Sequence, residues 1–331
     1  MSFTNTFDTT NTGSAVSNRE DLTDVLTILA PEETPILSSA DKKKASSTFV
    51  EWTVDSLAAP STSGISEGAD VTAFTDQFAG RAKLGNRVQK FRRDYMVSDM
   101  QEAVDYVGPA KIAQAEAKAI RELKRDIEAT LASANTQATE NGAGTANALG
   151  GLGDWIQNAA GSANVPAAFQ TPAASIVDAG ATLSESEFNG LITSIFGVTG
   201  STNNLMLIAD TTLRSDISDF ARTTASATDN VRSVNYDGNS GEIKLSVDLY
   251  QSDHGIVSIV NGNPDCMPTQ GGTAGMMGYL VNPEYYGVHE LIPMGSTRLP
   301  NLGGGERGFV DCALTLGVYH PGAHGKIVDP S

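Results

Sequence analysis

The sequence predicts an α+β protein in which a polar, extended front end precedes a mixed body of helices and short strands. Three features predict it. The first forty residues are polar and turn-rich, two strand-like runs flank a stretch of Ser, Gly, Ala and Asp, and beyond residue 98 amphipathic helices give way to period-2 strands. At 331 residues and 40% hydrophobic composition, the chain can bury one large core or two linked ones.

Residues 1–40 read as an amino-terminal arm with one short helix from about Asp21 to Leu29, stopped by Pro31 and Pro35. Phe49 to Val54 alternates, with Val50, Trp52 and Val54 on one face and Glu51, Thr53 and Asp55 on the other. A second run, Asn86 to Val97, is expected to pair with it across APSTSGISEGADVTAFTDQFAGRAK. Arms of about 18 residues would reach about 60 Å at 3.3 Å each. The gyration radius of a compact body of this length is only about 20 Å, so the hairpin is expected to overhang it. An isolated two-stranded ribbon is marginal in water and needs a surface elsewhere. The preceding DKKK, three consecutive lysines in a chain of net charge −17, is read as part of the same arm, leaving its own subunit to lie on a neighbour.

Ser98, with Gln101 three residues on, opens a helix through a capping box, and Gly108 and Pro109 break or kink it. From Ala110 to about Ala134 a long helix of about 37 Å carries the stripe Ile112, Ala115, Ala119, Leu123, Ile127 and Leu131. Lys118, Arg121, Glu122, Lys124, Arg125 and Glu128 form its solvated face. A second capping box, Ser184 with Glu187, starts a helix with Phe188, Leu191, Ile192 and Ile195 on one side. LMLIA, Leu205 to Ala209, is a short buried strand, and Asp210 caps a helix carrying Leu213, Ile217 and Phe220. Strands follow at Ile243 to Leu249, Ile256 to Val260, Met276 to Val281, Tyr286 to Ile292 and Val310 to Val318.

Charge is unevenly placed. Residues 1–126 hold 15 basic and 19 acidic residues, a net of −4, and residues 127–331 hold 7 and 20, a net of −13. Arg81, Lys83, Arg87, Lys90, Arg92 and Arg93 put six positive charges into thirteen residues free of acid. The overall field repels phosphate and no recognition motif is present, so this basic segment fits an acidic sister subunit better than nucleic acid. Lys42, Lys43, Lys44, Trp52 and these six cations are the expected contacts between subunits.

Catalytic chemistry finds little support. Ser252, Asp253 and His254 are sequence neighbours, whereas the members of a triad meet from separate elements. His320 and His324 flank Pro321 and Gly322, which rule out a helix presenting both imidazoles. NLGGGERG, Asn301 to Gly308, lacks a Gly-Lys-Ser/Thr ending and a following helix, so it reads as a flexible connection and not a phosphate cradle. Glu284, Glu290 and Asp311 are single strand carboxylates. Cys266 and Cys312 supply no disulfide framework. No catalytic, cofactor or metal residues are expected. There is no apolar leader region and no run of about 18 apolar residues, which predicts a soluble protein outside the secretory route.

The order of parts, with NRVQKFRRDYMVSDMQEAV running into AKAIRELKRDIEATL, resembles the major capsid proteins of tailed bacteriophages with the Hong Kong 97-type fold. TPILSSADKKK through Leu131 resembles one phage capsid family in particular. The resemblance implies an arm at 1–45, an extended β-hairpin loop at 46–96, and a spine helix with part of a peripheral domain at 97–180. It places an axial domain at 181–262 and the remaining axial and peripheral strands, with the carboxy terminus, at 263–331. Strands near Gly278 to Val318 would complete the peripheral domain. It implies self-assembly through hexamers and pentamers into an icosahedral virion shell in the host cytoplasm, enclosing double-stranded DNA without reading its sequence. Scaffolding, portal and cement proteins are the further partners implied, with no membrane and no cofactor. Some relatives cross-link through a loop lysine; Lys83 is the one lysine between Lys44 and Lys90 and no partner motif accompanies it, so no cross-link is expected. An encapsulin-type compartment for protein cargo is the alternative, and a soluble hydrolase a weaker one.

Overall fold

The structure is a computed structural model and describes residues 33–104, 111–142, 144–158, 165–180, 182–202, 204–222, 248–267, 269–270 and 274–329. Its elements in order are α1 (Pro35–Ser39), β1 (Asp41–Lys44), β2 (Phe49–Val54), β3 (Ala82–Arg87), β4 (Gln89–Val97), α2 (Asp99–Ala103), α3 (Lys111–Ala132) and α4 (Leu152–Trp155). Then come β5 (Ile176–Asp178), α5 (Glu185–Thr199), β6 (Leu205–Ala209), α6 (Thr211–Arg222), β7 (Leu249–Ser252), β8 (Gly255–Asn261) and β9 (Thr269–Gln270). β10 (Ala274–Val281), β11 (Tyr286–Leu299), β12 (Glu306–Val318) and β13 (Gly325–Val328) complete the chain. The expected helix at 21–29 and the strand residues 243–247 lie outside the described residues.

A four-stranded sheet, β1-β11-β12-β4, and a sheet ordered β5-β13-β10-β6-β8-β7, with β9 on β10, each carry a core. In the first, the stripe on α3 faces the core as its spacing predicts, with Ile112 and Ala115 half-buried and Leu123, Ile127 and Leu131 fully enclosed. They pack with Phe91 and Tyr95 of β4, Val310, Cys312, Leu314 and Leu316 of β12, and Trp155 of α4. In the second, Phe188, Leu191, Ile192 and Ile195 of α5 and Leu213 and Ile217 of α6 cover Leu205, Leu207, Val257 and Leu280. The capping box of α5 forms as expected, Ser184 and Glu187 satisfying each other's backbone amides. That helix ends on Gly200, whose φ of 68° closes the last turn.

Several expectations are corrected. Residues 33–45 do not depart from their own subunit: β1 pairs in parallel with β11 from Asp41↔Gly287 to Lys44↔Glu290, and α1 lies on α3. The strand that returns beside β2 is β3, through six pairs from Phe49↔Arg87 to Val54↔Ala82, and not the 86–97 run as a whole. Beyond Val88 the chain changes sheets, and β4 pairs antiparallel with β12 from Gln89↔Leu314 to Val97↔Glu306. The paired ribbon is therefore about 20 Å long and not about 60 Å. A boundary at 262 does not match the sheets, because β10 and β13 pair with each other and β10 with β6. Of Asn301 to Gly308, read as a flexible connection, residues up to 305 form the tip of the β11–β12 hairpin, where the Asn301 side chain accepts from Gly303 N–H at 2.7 Å, and Glu306 to Gly308 already belong to β12.

The β4–β12–β11 sheet is covered unequally. Side chains alternate across it, so Phe91 and Tyr95 face α3 while Lys90, Arg92, Asp94 and Met96 point the other way. On the α3 face the Gln89 carboxamide accepts from Leu149 N–H at 3.1 Å, while on the second face the half near Ala313 and Thr315 is buried. The distal half lies open among the described residues.

Candidate assembly interface

The ribbon β2–β3 is fixed firmly at its root. Asn86 is fully buried, its amide donating to the carbonyls of Gly150 at 3.0 Å and Leu316 at 2.8 Å while its oxygen accepts from Gly150 N–H at 2.8 Å and Arg87 N–H at 2.9 Å. One side chain thus ties β3 to both β12 and the segment before α4. Trp52 of β2 packs on Trp155 with ring centroids 5.5 Å apart and meets the edge of Tyr319 at 6.1 Å. Leu84 and Val54 join the core beneath.

Past the root the picture inverts. Every residue from 55 to 80 is exposed. Leu57 is 99%, Ile65 88%, Val71 72%, Phe74 91% and Phe78 60% exposed. Soluble monomers rarely display such a series on one segment, and the usual reason is a partner surface. The base of the loop is closed by Arg81, which donates to Asp55 at 2.7 Å and lies over the Phe78 ring at 4.0 Å. That guanidinium holds the Asp55 carboxyl below its ordinary value. Residues 56–80 contain the acids Glu67, Asp70 and Asp76 and no base, so the loop itself is acidic and the cations sit at and below its root.

The cations expected to meet a neighbour are partly engaged at home. Lys90 pairs with Asp311 at 2.9 Å, Arg92 with Asp94 at 3.0 Å, and Arg93 with both oxygens of Asp126 on α3 at 2.5 and 2.7 Å. Lys43 lies over Tyr319 at 4.1 Å, and its hydrogen bond to Tyr319, more than the Asp41 carboxylate at 3.7 Å, raises its pKa. Lys42, Lys44 and Lys83 are exposed without an ion-pair partner among the described residues, and Arg87 has only the Phe49 ring at 5.1 Å. Three lysines on β1, an edge strand with every side chain exposed, also discourage indiscriminate pairing at that edge.

Glu128, assigned from the sequence to the solvated face of α3, is 1% exposed. Its two oxygens accept the backbone N–H groups of Ile36 at 2.8 Å and Leu37 at 2.9 Å, satisfying the first turn of α1. It follows Ile127 directly and so borders the buried stripe, which was the one available signal. Burial pushes its carboxyl up to about 7, against the opposing pull of the two N–H donors. Because that value lies above the ordinary 4.5, the group's contribution is complete below about pH 4.5 and is lost as pH rises through about 7. Neutral burial of His324, whose pKa falls to about 4, acts with the opposite sign at lower pH, so the informative quantity is the difference between two proteins. The stability advantage of wild type over Glu128→Gln is expected to shrink by about 3 kcal/mol between pH 4.5 and 8, measured by denaturant unfolding. A constant difference across that range would contradict the assignment.

The remaining motifs are placed by the fold. Ser252 ends β7, and Asp253 and His254 form the turn to β8, with the His254 ring stacked on Phe196 at 5.0 Å. His320 and His324 bracket a single 3-10 turn, and the buried His324 ring accepts from Asn282 N–H at 3.2 Å. Cys266 and Cys312 are both buried and free, and burial raises the Cys312 thiol to about 12. Among the described residues no group of His, Cys, Asp and Glu could hold a metal ion, and no helix is long and apolar enough to cross a membrane.

A body that holds its own two cores, yet projects an apolar and acidic loop into solvent, is the design of a subunit that assembles. The model of the SU10 major capsid protein family matches residues 3–331, and the chain belongs to that family. It is a structural protein of the phage head. Among solved structures, the capsid of cyanophage P-SCSP1u is similar over 100% of both chains, with a TM-score of 0.63 and 12% identity. The capsid of the native GTA particle matches with a TM-score of 0.62 and 10% identity, covering 98% of this chain and 99% of the other. The cyanophage Pam1 capsid gives 0.59 and 10%, covering 95% and 96%. At these identities the likeness establishes the fold. No curated protein sequence matches.

Proposed function

We propose that copies of this chain close into an icosahedral shell of hexamers and pentamers around double-stranded DNA, each loop 55–80 being ordered by a neighbouring subunit. The observation that carries this reading is the rigid root beneath an entirely exposed apolar loop. Burying five large apolar side chains contributes on the order of 10 kcal/mol. The entropy of ordering the loop opposes that gain, so each contact is weak alone and holds through the many that a closed assembly makes at once. Lys42, Lys44, Lys83 and Arg87 are the cations left available to acidic surface on a sister subunit, where they set register more than affinity. The role is structural, without catalysis. DNA is enclosed without sequence-specific contact, in keeping with an acidic chain of net charge −17. Assembly in the host cytoplasm, with scaffolding, portal and cement proteins, belongs to the same reading.

Electron microscopy of the purified protein tests it. Closed particles are expected, and persistent monomers of 34.6 kDa at high concentration would overturn it. Particles isolated from producing cells are expected to protect double-stranded DNA from nuclease; a packaged protein cargo in its place would transfer the chain to the nanocompartment reading, which the family match does not favour.

A further inference from the structure

We propose that His289, Tyr319 and Lys43 form an acid-sensitive latch that closes β1 on the edge of β11, and that protonation of His289 opens it. Three separate elements build the latch. Parallel pairing sets Lys43 of β1 directly opposite His289 of β11, so the two side chains share one face of the sheet. Tyr319, one residue beyond β12, touches both: its hydroxyl lies 3.1 Å from His289 Nε2, and Lys43 stands over its ring at 4.1 Å and hydrogen-bonds to it. Two glycines permit the approach. A Cβ on Gly317 would lie 2.8 Å from His289 Nε2, and one on Gly287 would lie 2.7 Å from the Asp41 carbonyl oxygen and 2.8 Å from the Tyr319 hydroxyl.

The closed arrangement requires a neutral imidazole. With Lys43 donating to the Tyr319 oxygen, the tyrosine O–H has His289 Nε2 as its acceptor. Protonation turns Nε2 into a donor, so two cations converge on one hydroxyl oxygen and the tyrosine proton loses its acceptor. Like charges directly opposite across paired strands are destabilising in themselves. Among the described residues the charged groups facing His289 are Lys43 and Asp41 of β1; β12 presents Thr315 and Gly317, and β2 meets Tyr319 through Trp52, all uncharged. Glu290, the next residue on β11, points to the opposite face. Burial first, and then Lys43, hold the His289 pKa below the ordinary 6.5, and Asp41 opposes them with a smaller effect. The closing contribution is therefore complete above pH 6.5 and is lost as pH falls through the lower folded value. Acid acts on this end of the segment alone. The neighbouring α1 is held by Glu128, whose contribution is larger at low pH, and by Asn263, which donates to the Glu33 carbonyl at 3.0 Å. Opening uncovers the backbone edge of β11 from Gly287 to Glu290 and adds Lys43 to the exposed cations Lys42 and Lys44.

Amide hydrogen exchange in free subunits, compared at about pH 7.5 and about pH 5.5 after correction for the intrinsic pH dependence, tests the latch. The buried His324, with a pKa of about 4, stays neutral at both. Protection at residues 41–45, including the Ala45 N–H that donates to the Glu290 carbonyl at 2.9 Å, is expected to fall by about tenfold at the lower pH, while that at Ile36 and Leu37 does not fall. His289→Gln, which cannot titrate, is expected to abolish the difference at 41–45. Lys43→Gln, which removes the opposing charge, is expected to reduce it to about threefold or less. The ring-proton shifts of the four histidines supply a second reading: the signal missing in His289→Gln is expected to titrate below 6.5 in wild type and at higher pH in Lys43→Gln. Equal protection of 41–45 at the two pH values, an equal loss at α1, or a full acid response in His289→Gln would overturn the latch. The same histidine titration with and without Lys43 would overturn the part given to the lysine.

Discussion

Replacing residues 57–79 with a four-residue Gly-Ser linker is expected to leave the subunit folded and to reduce shell formation by about 100-fold or more, read by sedimentation and electron microscopy. The fold survives because nothing in either core comes from this segment: residues 55 to 80 are exposed throughout, and Val54 and Ala82 already stand paired where the linker would join them. Assembly fails because the five apolar side chains and three acids that the loop offers are absent. A 100-fold loss corresponds to only about 2.8 kcal/mol per contact, well inside what burial of two such side chains contributes. Normal shells from this variant would show that the loop is dispensable.

Asn86→Ala is expected to act in the opposite place, on the folded subunit itself. The substitution removes four hydrogen bonds and leaves the buried amide of Gly150 and the carbonyls of Gly150 and Leu316 without their partner. Stranded buried polar groups cost roughly 1–3 kcal/mol each, so a loss of about 3–5 kcal/mol follows after partial relaxation. The root of the ribbon is expected to loosen first. Hydrogen exchange at 49–54 and 82–87 would rise before exchange in α3, and uniform change across the chain would contradict a local role. Asn86→Asp is the sharper control, since it keeps the acceptor toward Gly150 and Arg87 and loses the two donations.

The contrast between what was and was not legible in the sequence follows from which interactions are local. The stripe on α3 and the capping box at Ser184 could be read because residues three and four apart in sequence are neighbours on a helix. The exposure of DKKK was also legible, but its location was not. In β1 every side chain is exposed and the pairing with β11 is made by the backbone, Lys43 meeting Tyr319 and Asp41, so no side-chain pattern records the pairing. The same limit applies to the 86–97 run: alternation marks a strand, but nothing in it selects β12 over β2. Glu128 and Asn86 were missed for a further reason. Polar side chains are assigned to solvent by default, and both are buried because they satisfy backbone groups that are some 60 to 230 residues distant in sequence. The division of the basic segment between home pairs and available cations likewise depended on where α3 places Asp126 and where β12 places Asp311.

Amide hydrogen exchange at residues 55–80, compared between free subunits and assembled shells, tests the central claim most directly. In free subunits these amides lack a covering surface and are expected to exchange near the rate of an unstructured chain; in shells they are expected to slow by two or more orders of magnitude, about 3 kcal/mol at 1.4 kcal/mol per tenfold. Equal exchange in the two states would mean that no neighbour covers the loop.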